Sequence, residues 1–223
     1  MTWQAPTRQV LLAGATGLVG GRVLQDLLLD PTVSAVHALS RRPWVLDHPK
    51  LQIHLVDFNR LPVLPPVDEV YLALGTTIKV AGSQAAFRAV DFEANLAVAQ
   101  AACAVGARRI GVVSAVAANA RSSVFYNRVK GELEDALRSM PLTALVIAQP
   151  SLLLDNRDGL GQPPRLGEKL SIPVARILAP WIPCAYRPVW AQAVARSLVR
   201  TLPQARGVVV LASGSMVQMA REP

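Results

Sequence analysis

Tyr126 and Lys130 stand four residues apart in "SSVFYNRVKGELEDAL" (122–137), a spacing that puts both on one face of a helix. The chain has three tyrosines and four lysines against nineteen arginines, so a lysine at this spacing from a tyrosine is conspicuous. A phenol exchanges protons near neutrality only if its ordinary pKa of about 10 falls by some 2 to 3 units, a change worth roughly 3–4 kcal/mol. An ammonium about 4 Å away supplies an interaction of that order at an effective dielectric of about 20. Ser114 lies twelve residues before Tyr126, at the end of the apolar run "RIGVVS", and is placed to hydrogen-bond the same substrate oxygen. The set suits acid–base work on a carbonyl or an alcohol.

A second constellation is "LLAGATGLVGGRVLQDLLLD" (11–30), where Gly14, Gly17 and Gly20 separate an apolar run from leucines and valines at helical spacing. Backbone amides close on an anion only where side chains are absent, and the first turn of a helix offers unpaired N–H groups and a positive dipole end. Gly14 suits a sharp turn, Gly17 a close approach of the backbone to a pyrophosphate, and Gly20 tight helix–sheet packing. Ala15, Thr16, Leu18 and Val19 fill out this candidate phosphate loop, whose spacing is GxxGxxG.

These residues need a frame, and the chain alternates strand-like and helix-like stretches that supply one. Strand-like runs are 9–13, 35–40, 51–57, 69–75, 109–114 and 142–150, with helical patterns at 18–29, about 84–105 and 123–139. Such alternation predicts βαβ units and a doubly wound parallel sheet of α/β class. After residue 150 it gives way to an extended segment, helices near 168–178 and 188–201, and a last strand at 207–212. The Pro-rich stretches 61–69 and 160–168 read as loops. Four strand ends then share one rim, where open α/β sheets bind ligands. The second ends in Ser40, Arg41 and Arg42, donors and charge that fit a ribose 2′-phosphate, with no acid to receive a free 2′-hydroxyl. At the third, Asp57 can accept from an adenine amino group and Phe58 can cover the base. The fourth ends in Leu74, Gly75, Thr76 and Thr77, small enough in part to pass close under a cofactor.

Taken together, "GATGLVG", "SRR", "LGTT", Ser114 and "YNRVK" resemble the short-chain dehydrogenase/reductase superfamily in its atypical branch. The likeness is greatest to the Tat-interacting-protein type and to bacterial NAD(P)H-binding or epimerase-like relatives, over about residues 8–200. "LGTTIKVAGSQAAFRAVDFE", "YNRVKGELE" and "QPSLLLDNRD" are similar to segments of that group. The resemblance implies a single Rossmann domain over 1–223, with a small C-terminal substrate lobe at about 151–206 inserted before the last strand. It also implies NADP(H) in preference to NAD(H), with Pro150, Tyr126 and Lys130 among the cofactor contacts. In that scheme Tyr126 transfers the proton, Lys130 lowers its pKa and holds the nicotinamide ribose, and Ser114 orients the carbonyl. One departure stands out: where many members carry Asn early in the helix after the fourth strand, this chain has Asp91, with Asn95 one turn later. Two functions remain open, a reductase of a small carbonyl or quinone and an NADP(H)-holding regulatory or partner-binding module.

Composition excludes other classes. The net charge is +8, but the arginines are scattered and no basic–aromatic alternation appears, so specific nucleic-acid binding is not expected. No apolar run reaches about 18 residues and the first ten residues lack a signal-peptide pattern, so the expectation is a chain without membrane insertion, located in the cytoplasm. Cys103 and Cys184 lack metal-ligand spacing and read as reduced thiols, with no metal expected. The apolar stretch 171–186 fits ordinary core, a lid or a partner surface.

Overall fold

The computed structural model describes residues 7–154 and 188–220. Its main sheet has seven strands in the order β3-β2-β1-β4-β5-β6-β9, every adjacent pair parallel. They are β1 (Arg8–Ala13), β2 (Val33–Ser40), β3 (Leu51–Leu55), β4 (Glu69–Leu72), β5 (Arg109–Val113), β6 (Ala144–Gln149) and β9 (Gly207–Ala212). Chain order reverses direction at β1, which lies between β2 and β4. This is the switch point where a doubly wound sheet opens a crevice.

Helices cover both faces, as buried parallel strands require. On one side α1 (Leu18–Leu29) and α6 (Ala191–Thr201) pack over Val10, Leu12 and Val36, with Val23, Leu27, Val194 and Leu198 completely or almost completely buried. Burial of each such side chain is worth roughly 1.5–3 kcal/mol. On the other side α4 (Asn95–Ala104) and α5 (Phe125–Arg138) pack over Leu11, Val70 and Ile110. The short helices α2 (Ile78–Ala81) and α3 (Gln84–Arg88) lead into a π-helical turn, Ala89–Ala94, that runs straight into α4. A last helix, α7 (Ser213–Met219), follows β9.

The alternation in the sequence corresponds to this doubly wound architecture, with several local differences. The third and fourth strands stop at Leu55 and Leu72, short of the expected 57 and 75, because the chain leaves the sheet to build the rim. The expected helix at 84–105 is broken by the π turn. The Pro-rich crossover between β3 and β4 carries no helix, and it is pinned to the core by Leu64 and Val67. Within the stretch assigned to a lobe, α6 packs on α1 in the main core, and Leu153–Leu154 (β7) pairs in parallel with Val189–Trp190 (β8). The expected helix at 168–178, the 160–168 loop, Cys184 and the apolar 171–186 stretch lie outside the described residues.

At the end of the sheet away from the rim, Arg8 on β1 donates to Glu69 and pairs with Asp30 at 2.5 Å, and the Tyr71 hydroxyl donates to Glu69 at 3.2 Å. Burial and the neighbouring carboxylate push the Tyr71 phenol well above its ordinary value. Burial also raises Glu69, against the pull of Arg8.

Candidate functional site

The glycine turn is built by backbone alone. Gly14 has φ +96°, and a Cβ there would sit 2.5 Å from the Ala73 carbonyl group, so the first turn and the end of β4 touch without side chains. A Cβ on Gly20 would lie 2.0 Å from the Gly14 oxygen. Gly17 caps α1 with no side-chain hydrogen bond, leaving the first amides of that helix unpaired by any cap. Ala15, Val19 and Gly20 are buried beneath this turn, whereas Thr16 is exposed on it.

From this turn a cleft of about 450 Å³ runs along the strand ends to α5. Thr16, Gly17, Leu18 and Val19 line one end; Leu74, Gly75, Thr76 and Thr77 form the floor; Ser114, Tyr126, Lys130 and Pro150 line the other. Other expected cofactor residues lie beyond it. Ser40 is turned inward, donating its hydroxyl to the Arg42 carbonyl at 2.7 Å, so it shapes the turn. Arg41 and Arg42 are exposed. Asp57 caps a turn by accepting from the Asn59 amide and side chain, both at 2.9 Å, and Phe58 packs on the core. These contacts leave Asp57 facing solvent at the rim.

Around α5 the structure adds partners to the Ser, Tyr and Lys set. Lys130, only 4% exposed, pairs with Asp91, 1% exposed, at 2.8 Å. The second Asp91 oxygen accepts from the Thr76 amide at 2.9 Å, which ties the π turn to the end of β4. The position one turn later behaves differently: Asn95 spends its amide hydrogens on the carbonyls of Leu74, Val90 and Asp91, and its Oδ1 has no partner. The Asn-type position is therefore occupied by a carboxylate that takes the lysine.

Ser114 donates to Glu134 at 2.5 Å. Glu134, buried one turn beyond Lys130, also accepts from Gln149 at 2.9 and 3.1 Å and pairs with Arg138 at 2.9 Å. A serine whose hydrogen goes to Glu134 has lone pairs left to offer, so orienting a carbonyl oxygen by donation would require that hydrogen to leave Glu134. Glu134 and Gln149 were not singled out by the sequence. The available signal was position, since Glu134 follows Lys130 by four residues on the same helix face.

Tyr126 is half-buried with its ring 5.4 Å from that of Phe87, which fixes the ring beside the cleft. Gly131 lets α5 come this close: a Cβ there would fall 2.2 Å from the backbone at Asn119 and Ala120, in the loop that leaves β5. Ala117 in that loop adopts φ +60°, a conformation that costs a non-glycine residue on the order of 1 kcal/mol and needs surrounding support. Burial raises the Cys103 thiol, with Arg108 opposing, which suits an unreactive sulfur. Among the described residues no cluster of metal-ligating side chains occurs, and no helix is long and apolar enough to cross a membrane.

No family model matches the chain. It is 30% identical to the protein fmp52, mitochondrial, of Emericella nidulans over 67% of this chain and 68% of that one. It is 32% identical to FMP52, mitochondrial, of Lodderomyces elongisporus over 68% and 69%. These relatives are named as mitochondrial proteins, which overturns the expected cytoplasmic location. The expectation rested on the lack of a membrane span and of a secretory pattern, and neither feature distinguishes the cytoplasm from a mitochondrion. Among solved structures, an oxidoreductase of the short-chain dehydrogenase/reductase family from Burkholderia thailandensis superposes with TM-score 0.65 at 17% identity, covering 98% of this chain and 97% of that one. A UDP-N-acetylglucosamine 4-epimerase from Methanobrevibacter ruminantium gives 0.68 at 14%, over 93% and 77%. MoeE5 in complex with UDP-glucuronic acid and NAD gives 0.67 at 17%, over 96% and 81%. At these identities the likeness is one of fold.

Proposed function

The chain belongs to the FMP52 family, and from that premise we propose that it is an atypical short-chain dehydrogenase/reductase, an NADP(H)-dependent oxidoreductase acting on a small carbonyl or quinone-like substrate. The observation that carries this reading is that one cleft joins a glycine-built turn at an uncapped helix start to Tyr126, Lys130 and Ser114. The residues present fit a dinucleotide: Gly14 and Gly20 have no room for a Cβ against the backbone of Ala73 and Gly14, which draws the turn tight at the uncapped start of α1, and Arg41 and Arg42 stand exposed at the end of β2. The Gly14–Gly20 turn would hold the pyrophosphate, Arg41 and Arg42 the 2′-phosphate, Asp57 and Phe58 the adenine, and Lys130 the nicotinamide ribose. When bound, the nicotinamide supplies or accepts the hydride.

The chain's own residues manage the proton. Tyr126 offers its hydroxyl hydrogen to the oxygen that gains negative charge as a carbonyl is reduced, and takes it back in the reverse direction. Lys130, held by Asp91, would hold the cofactor ribose. Ser114 accepts a hydrogen bond from an alcohol or from Tyr126 as it stands; to serve a carbonyl oxygen it must exchange Glu134 for the substrate. The apolar walls at Val80, Val116, Leu152 and Leu153 suit a compact, largely apolar substrate.

The test is NADPH consumption over a panel of ketones, aldehydes and quinones, followed by Tyr126→Phe on the substrate found. Turnover is expected to fall by about 100-fold or more, the scale of one positioned acid–base group, with NADPH affinity little changed. Wild-type turnover in Tyr126→Phe would remove the catalytic assignment and leave a dinucleotide-holding module.

A further inference from the structure

Asp91 and Lys130 are the sole charged side chains among the described residues that line the cleft. They form one buried pair, so this wall carries no net charge. Gly75 in the floor lies against the pair: a Cβ there would meet Asp91 Oδ1 at 3.5 Å and Lys130 Nζ at 3.9 Å, ordinary contact distances. Asp91 Oδ1 takes the ammonium at 2.8 Å while Oδ2 takes the Thr76 amide, so the carboxylate is spent within the cleft wall.

Resting on the reading that this cleft holds NADP(H), we infer that Asp91 sets which redox state of the dinucleotide the protein retains. The two states differ by one positive charge, located on the oxidised nicotinamide ring. The phosphates are common to both and fit the glycine turn, so the ring must reach toward the opposite end, where Tyr126 and Lys130 stand. An unpaired ammonium there would repel the oxidised ring and favour the reduced cofactor. Asp91 cancels that repulsion and allows the oxidised form to stay. In a site shielded from water, at an effective dielectric of about 20, gaining or losing one unit charge in the wall changes affinity for another by on the order of tenfold.

Calorimetric titration of NADP⁺ and NADPH into the wild type, Asp91→Asn, Lys130→Met and the double variant tests this, with circular dichroism to check folding. Asp91→Asn keeps an oxygen for the Thr76 amide and should weaken NADP⁺ relative to NADPH by about tenfold. Lys130→Met should move the ratio the opposite way by a similar factor, and the double variant should return to within about threefold of wild type. If Asp91→Asn does not fold, the opposite shift in Lys130→Met and its reversal in the double variant carry the test. Equal ratios in all variants, or shifts of the same sign in both single variants, would overturn the role of Asp91 while leaving the cofactor site intact. Failure of the wild type to bind either dinucleotide would overturn the cofactor reading itself, and this inference with it.

Discussion

Two buried charge networks sit at opposite ends of the same sheet, and they differ in what they leave open. At the lower end Arg8, Asp30, Glu69 and Tyr71 satisfy one another, and Thr32 closes the group by donating to Asp30 at 2.7 Å. At the rim the Asp91–Lys130 pair and Ser114, whose hydrogen goes to Glu134, line a 450 Å³ cleft. Burial of charge is therefore not itself the mark of a site. Both networks tie elements together, but only the one that lines a cavity has anything to offer a ligand.

The contrast predicts separate consequences for stability and for binding. The largest effect belongs to the lower end: Glu69→Ala leaves part-buried Arg8 with Asp30 alone and the buried Tyr71 hydroxyl without its acceptor, and should cost about 3–5 kcal/mol in urea unfolding. Any folded fraction should bind NADPH with wild-type affinity; weakened binding would show that this network reaches the cleft. At the rim, Glu134→Ala strips partners from Ser114 and Gln149 and should cost less, about 1–3 kcal/mol, because Arg138 reaches solvent. It should also alter kcat more than KM on whatever substrate is found, since Ser114 loses its fixed orientation. Equal loss of both would make Glu134 a packing element only.

Gly20→Val probes a part of the rim that contains no side chain. The added atoms would overlap the Gly14 carbonyl, so dinucleotide binding should vanish with a stability loss of about 1–3 kcal/mol. Retained NADPH binding would place the phosphates elsewhere. The smallest expected effect is at Arg41 and Arg42, which are exposed. Replacing both by Ala should lower the NADPH over NADH preference by about tenfold and leave stability within about 0.5 kcal/mol. An unchanged ratio in fluorescence titration would mean that these arginines only face solvent.

The sequence by itself determined the parts that depend on neighbours along the chain. Alternating apolar runs and helical periods pointed to a doubly wound parallel sheet, and the GxxGxxG turn was legible because its glycines lie within seven residues of one another. The Tyr126–Lys130 face was legible for the same reason, since a helix relates positions four apart by its own geometry. Tertiary structure decided how the charged side chains divide between partners. Asp91 and Lys130 are 39 positions apart, Ser114 and Glu134 twenty, and each pair meets only because β4, β5 and α5 converge at one rim. No period in a linear chain encodes which of Asp91 and Asn95 turns toward a lysine. That choice follows from the π turn, whose extra residue rotates Asp91 onto the ammonium and leaves Asn95 to the backbone carbonyls.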